Sequence, residues 1–104
     1  MQQALDFLED SRQLFHLLQN KTDEDFKTKT QFKNWTINDV IGHLHIFNFA
    51  ANLSLKCSNE FKIFFSPIDK ALKKNVSVVD IQNQWLDGLT GQALLYAWWK
   101  EARA

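Results

Sequence analysis

The strongest constraint on the fold is the stretch from Asn34 to Lys56, NWTINDVIGHLHIFNFAANLSLK, which carries the longest amphipathic helix signal. Thr36 is suited to cap this helix, and Asp39 falls in its first turn, where the helix dipole favours a negative charge. Gly42 costs about 1 kcal/mol relative to alanine inside a helix, so we expect another segment to pack closely against the backbone there. The sequence therefore predicts a long central helix with a closely packed neighbour.

The residues of this central helix divide into faces when each is placed about 100° from the one before it. The apolar stripe that we expect to face the core contains Ile37, Val40, Leu44, Phe47 and Ala51, with Ile41 at its flank. His43 lies about 60° from the centre of the stripe, so it points into the bundle or along its edge. His45 points almost the opposite way. Of these two imidazoles, we expect His43 alone to join a buried site.

The segments on either side of the central helix also show helical patterns. A first helix is predicted from Gln2 to Gln19, followed by a polar connector that delivers Trp35, a packing anchor, to the central helix. Ser58 is expected to cap a short apolar helix, and Pro67 to restart the chain as a kinked helical connector.

The last segment begins with a capping pattern at Ser77 and Asp80 and continues as a helix from Val78 to Ala104. Gly88 and Gly91 indicate a bend or a close helix contact within it. No alternation typical of strands occurs anywhere in the sequence, which predicts an all-α fold. The final helix has no stop signal, so we expect the chain to be a truncated single domain over residues 1–104.

Composition limits the classes of partner and compartment. The 104 residues are 45% hydrophobic, and twelve basic side chains balance twelve acidic ones. This balance disfavours nucleic acid as a partner, because phosphate binding needs a basic surface. No run approaches the roughly 20 apolar residues that span a membrane. The single cysteine, Cys57, excludes an intrachain disulfide, favours a cytoplasmic location and is interpreted as an inert thiol.

Three sequence segments together resemble one family. They are WTINDVIGHLH at Trp35 to His45, FFSPI at Phe64 to Ile68 and QWLDGL at Gln84 to Leu89. In this order they resemble the DinB-like metal-binding four-helix bundles, and more narrowly the branch related to the N-terminal domain of mycothiol-dependent maleylpyruvate isomerase. The resemblance implies an up-and-down four-helix bundle, of which this chain holds the first three long helices and the kinked connector.

The resemblance also implies a metal site. The histidine that precedes leucine in the first segment is a ligand of a divalent metal in that family, and it matches His43 here. Two further ligands normally come from a later helix, and neither His16 nor His45 matches them. The cofactors implied for the complete protein are a divalent metal, zinc or nickel from the preference for imidazole, and a low-molecular-weight thiol.

Two functions remain open from the sequence. In the first, the complete protein is a metal-dependent thiol transferase or isomerase that acts on a small-molecule thiol or electrophile, with His43 as a metal ligand. In the second, it is a non-catalytic helical module for oligomerisation or protein interaction, and His43 is a core histidine. The groove left by the missing helix would then form a homodimer interface.

Overall fold

A computed structural model describes residues 2–103, with side chains from Leu8 onward. These residues form five α-helices and contain no strand, so the all-α prediction is confirmed. The helices are α1 (Gln2–Leu18), α2 (Ile37–Lys56), α3 (Ser58–Lys73), α4 (Val78–Leu86) and α5 (Gly91–Ala102). A 3-10 turn at Asp25–Lys27 interrupts the connector between α1 and α2. Within this part of the chain, no helix is long and apolar enough to cross a membrane.

The start of α2 is fixed by a capping box. The Thr36 hydroxyl accepts a hydrogen bond from the Asp39 amide at 3.1 Å, and the Asp39 carboxylate accepts one from the Thr36 amide at 3.0 Å. Two orphan donors at the helix start are thereby satisfied, as the capping pattern predicts. The connector supports this start from outside, because the Ile37 amide donates to the Thr28 carbonyl.

Helix α2 is the element against which α3, α4 and α5 all pack. Helix α5 runs parallel to it: the Gly91 amide, at the start of α5, donates to Asn38, and the carbonyl of Glu101, near its end, accepts from Asn52. Helix α3 folds back antiparallel to α2 after Cys57. The predicted position of this stretch at the centre of the fold is therefore confirmed.

The buried core lies on one side of α2, between α1, the 3-10 turn and α5. Its buried apolar residues are Phe15, Leu18, Phe26, Ile41, Leu94, Leu95 and Trp98. The predicted core face of α2 is wrong in detail, because Ile41 is 1% exposed while Phe47 is 66% exposed. Leu44 and Ile37 pack against the core only in part, and Ala51 is exposed. Helix α5 covers the Ile41 side of α2, so the apolar side that contains Phe47 stays open.

Helix α3 is continuous through Pro67, which corrects the prediction of a restart and a kinked connector there. Proline removes one amide donor from the helix, and the loss is tolerated here because Pro67 is exposed on the surface. Helix α3 also begins one position earlier than predicted, because Cys57 and not Ser58 is its N-cap. None of its residues is buried.

The predicted final helix is in fact two helices. Ser77 caps the first, since its hydroxyl accepts from the Asp80 amide at 3.1 Å. Helix α4 then ends at Leu86, because Asp87 and Gly88 adopt positive φ angles of 52° and 87°. Gly91 opens α5 at a φ of 60°. The two glycines therefore mark a chain reversal between two helices rather than a bend within one, and Ala104 lies outside the described residues.

Candidate functional site

An open groove runs between α2, α3 and α4 on the side of α2 that faces away from the core. It has a volume of about 240 Å³. Its lining residues are His43, Ile46, Phe47, Ala50, Phe64, Phe65, Ile68, Leu72, Val78, Ile81 and Gln82. The two polar members are His43 and Gln82, and the others are apolar. A mainly apolar cleft with a few convergent polar groups is the usual form of a small-molecule site.

His43 and Gln82 form a direct hydrogen bond between α2 and α4. The Nδ1 atom of His43 lies 2.5 Å from Oε1 of Gln82. The other end of the Gln82 amide, Nε2, donates to the main-chain carbonyl of Asp39 at 3.3 Å. Gln82 is only 1% exposed, whereas His43 itself is exposed. The exposed imidazole is thus tied through Nδ1 to a buried amide, which leaves Nε2 as the nitrogen for a ligand.

Trp35 supports the other side of the His43 ring. The two ring centroids are 5.5 Å apart at an interplanar angle of 67°, an edge-on contact. Trp35 in turn makes an edge-on contact with Phe32 at 5.2 Å. The contact with Phe32 agrees with the prediction that Trp35 is a packing anchor. Trp35 also contacts His43, so it anchors the imidazole of the candidate site.

Gly42 allows α4 to approach α2 closely at this point. A Cβ atom at Gly42 would lie 2.8 Å from Cδ1 of Leu86 and 3.9 Å from Nε2 of Gln82. The first distance is too short for any real contact, so the side chain of Leu86 occupies the space that a larger residue would need. The expectation of a closely packed neighbour at Gly42 is confirmed, and that neighbour is the helix that carries Gln82.

His45 does not point to solvent, which corrects the prediction from helical spacing. Its ring lies 5.2 Å from that of Trp85, and its Nδ1 atom is buried without a hydrogen-bond partner among the described residues. Burial lowers the pKa of His45, and the nearby carboxylate of Glu101 opposes this shift. Helix α4 causes the difference, because it places Trp85 over a face of α2 that would otherwise be exposed.

The three histidines do not form one site. His16 is exposed on α1 beside Phe15, and His43 and His45 lie on different faces of α2. Among the side chains that the structure describes, residues 8–103, no group of three or more His, Cys, Asp or Glu could hold a metal ion. Cys57 is half-buried at the junction of α2 and α3. Within these residues, the donor set fits one corner of a metal site at His43 and does not complete it.

Gln82 is the site residue that the sequence analysis missed. Its spacing carried a usable signal, because it lies four residues after Val78 and four before Leu86, on the apolar side of α4. A glutamine at such a position is inward-facing and needs a partner. That partner is on α2, and nothing local in the sequence identifies it.

The chain matches the model of a known protein family. The model of the mycothiol maleylpyruvate isomerase N-terminal domain family matches residues 7–104. No curated protein and no solved structure matches the chain.

Proposed function

Because the chain belongs to the mycothiol maleylpyruvate isomerase N-terminal domain family, we propose that it is part of a metal-dependent thiol transferase or isomerase. In this proposal, Nε2 of His43 binds a divalent metal ion. The open groove beside His43 holds an electrophilic substrate.

The observation that carries the proposal is the hydrogen bond between His43 Nδ1 and Gln82 Oε1. Histidines that bind metals usually donate a hydrogen bond from their second ring N–H to a carbonyl or carboxylate oxygen. This bond fixes the orientation of the ring and raises the basicity of the ligating nitrogen. Nδ1 of His43 lies within hydrogen-bond distance of such an oxygen, and Trp35 contacts the ring from another side. His45 differs, because its Nδ1 atom is buried and has no hydrogen-bond partner among the described residues.

The remaining ligands are proposed to come from a helix outside the described residues. A catalytic zinc site typically has three protein ligands and one open position. Since the side chains described from Leu8 to Arg103 include no suitable group of three donors, His43 needs at least two ligands from elsewhere. Zinc or nickel suits an imidazole ligand. When bound, the metal would lower the pKa of a low-molecular-weight thiol and hold it as the thiolate.

The lining of the open groove supports an apolar substrate. Phe47, Phe65, Leu72 and Val78 each retain at least 39% exposure, so the walls of the groove are accessible apolar surface. Among the residues that the structure describes, no Lys or Arg lines this groove. Anionic compounds usually require charged or bidentate donors, which these walls do not supply. We therefore propose an electrophile with an apolar body, whose reactive end lies near His43.

Metal analysis of the full-length protein tests the proposal. Wild-type protein, stripped with a chelator and reloaded with zinc or nickel, should bind one ion per chain. His43→Ala should weaken binding by more than about 100-fold, because losing a ligand exceeds the roughly 10–100-fold effect of losing an outer partner. His16→Ala is the matched control and should bind like the wild type. Equal metal content in wild type and His43→Ala would refute the role of His43.

A helical interaction module is the second candidate, and the exposed apolar surface favours it. Phe47 is 66% exposed on α2, and Ile63 is 73% exposed on α3. Large exposed apolar patches often mark protein interfaces. Sedimentation of the wild type and of Phe47→Ser tests this function: a dimer that dissociates in the variant supports it, and a monomeric wild type opposes a homodimer.

A further inference from the structure

We infer that Gln82 is a positioning residue that holds His43 in the tautomer with its proton on Nδ1 and its lone pair on Nε2. This inference deepens the proposed function. Its functional meaning rests on that proposal, because the tautomer of His43 matters only for metal binding. The inference itself concerns the protein without metal. It follows from the orientation of one buried amide.

The orientation of the Gln82 side chain is set by its contact with Asp39. A main-chain carbonyl can only accept hydrogen bonds, so the amide group that faces the Asp39 carbonyl at 3.3 Å must be the donor, Nε2. The reversed amide would bring two acceptor oxygens together at this position, with no donor between them. Oε1 of Gln82 must therefore be the atom that faces His43.

The protonation of His43 follows from this orientation. Oε1 of Gln82 is an acceptor only, so the Nδ1 atom that lies 2.5 Å from it must carry a proton. A neutral imidazole has one ring proton, and its other nitrogen then carries a lone pair. A metal ligand needs this unprotonated nitrogen. The hydrogen bond therefore prepares Nε2 of His43, and excludes Nδ1, for metal binding.

Burial gives this arrangement its strength. Gln82 is 1% exposed, and a buried amide is destabilising unless its polar atoms are paired. Both of its pairings are to residues four positions apart on α2, Asp39 and His43, which lie one turn apart on the same helix. Gly42 lies between them and permits the close approach of α4. Rotating the amide away from His43 would leave its oxygen unpaired in a closed space.

The ring nitrogens of His43 can be observed directly. In uniformly ¹⁵N-labelled, metal-free protein at a pH where the imidazole is neutral, long-range proton–nitrogen spectra distinguish a protonated nitrogen from one with a lone pair. We expect the His43 signals to show protonated Nδ1 and unprotonated Nε2. A spectrum with the proton mainly on Nε2 overturns the inference. This measurement needs no variant, so it holds even if a substitution prevents folding.

Two variants separate positioning from a merely structural role. Gln82→Met keeps the length of the side chain and removes the acceptor, so the His43 tautomers should become mixed or reversed. Gln82→Glu keeps an acceptor oxygen and should retain the proton on Nδ1. Gln84→Met is the matched control, because Gln84 is an exposed residue of the same helix, and the His43 spectrum should not change. An unchanged tautomer in folded Gln82→Met overturns the inference.

Metal affinity gives an independent result on the full-length protein. Zinc binding should weaken about 10–100-fold in Gln82→Met, because this is the usual effect of losing the hydrogen-bond partner of a metal ligand. In Gln84→Met, zinc binding should remain unchanged. If His43→Ala binds zinc normally, the proposed function fails, while the tautomer measurement still decides the inference. If His43→Ala loses zinc but Gln82→Met changes neither tautomer nor affinity, the positioning role fails alone.

Discussion

The two sides of α2 differ sharply in how they are covered. On the closed side, where α1, the 3-10 turn and α5 pack, Phe26, Leu94 and Leu95 are completely buried and Trp98 is 1% exposed. On the open side, which α3 and α4 border, no residue of α3 is buried, and Phe47 remains 66% exposed. Both sides are rich in apolar residues, so hydrophobicity alone does not distinguish them.

The residues that stabilise this fold and the residues of the candidate site therefore lie on different sides of α2. Burial of large apolar side chains is the main stabilising contribution, and it is concentrated on the closed side. The open side contributes accessible apolar walls. His43 and Gln82 lie where α4 crosses α2, at the border of the groove, so a buried amide holds the site while the surrounding apolar walls stay accessible.

The largest expected effect is on the closed side. Trp98→Ala should lower the free energy of unfolding by about 3–5 kcal/mol, because it removes a fully packed aromatic ring from the core. Urea denaturation measures the change. Lys100→Ala, at an exposed position of the same helix, should change stability by less than about 0.5 kcal/mol. A loss below about 1 kcal/mol for Trp98→Ala would remove the distinction between the two sides.

At the border between the sides, Gly42→Ala should destabilise the fold by about 1 kcal/mol. The clash with Leu86 should cost about 1–3 kcal/mol, and the better helix propensity of alanine returns about 1 kcal/mol. Measured by urea denaturation in a Leu86→Ala background, the same substitution should become neutral or stabilising. Destabilisation that persists in that background would show that contact with Leu86 is not the cause.

A smaller effect should appear as a pH dependence at His45. Burial lowers the pKa of His45 below its ordinary value of 6.5, so the unfolded chain binds more protons than the folded chain in mildly acidic solution. Stability should therefore fall as the pH drops through the unfolded pKa, and level off below the lowered folded pKa. Urea denaturation from about pH 8 to about pH 5 should show a weaker dependence in His45→Gln. Identical profiles would contradict the burial of this ring.

The smallest effect belongs to the open side. Phe47→Ala should change the free energy of unfolding by less than about 0.5 kcal/mol, because most of the ring is already in solvent. Phe26→Ala, the same substitution at a completely buried position, should cost about 3–5 kcal/mol and serves as the matched control. A loss above about 2 kcal/mol for Phe47→Ala would mean that a partner covers the open side in solution.

Local signals in the sequence predicted the starts of α2 and α4 well. The caps at Thr36 and Ser77 depend on residues within three positions of each other, and both form as expected. The close contact at Gly42 could be predicted for a similar reason, because an interior glycine is unfavourable without a neighbour. The sequence could not predict that this neighbour is Leu86, because Leu86 lies far from Gly42 along the chain.

The errors concern the faces of helices and the ends of helices. Ile41, predicted at the flank of the core stripe, is buried, while Phe47 of that stripe is exposed, because α5 packs on one part of a broad apolar surface. The final segment divides at Asp87, a residue that adopts a left-handed backbone without being a glycine. The burial of His45 and the hydrogen bonds of Gln82 depend on where α4 crosses α2. Each of these outcomes is decided by contacts between segments, which periodicity along one helix does not contain.

The single residue between α2 and α3 has a mechanical consequence for the open groove. Cys57 occupies both the C-cap position of α2 and the N-cap position of α3, so a single residue joins the two helices. Helix α3 is 16 residues long, about 24 Å, and a swing of about 10° would move its far end by about 4 Å. His43 lies 14 positions from Cys57, about 21 Å along α2. A small change in the angle between α2 and α3 therefore changes the width of the open groove most at the end where His43 lies.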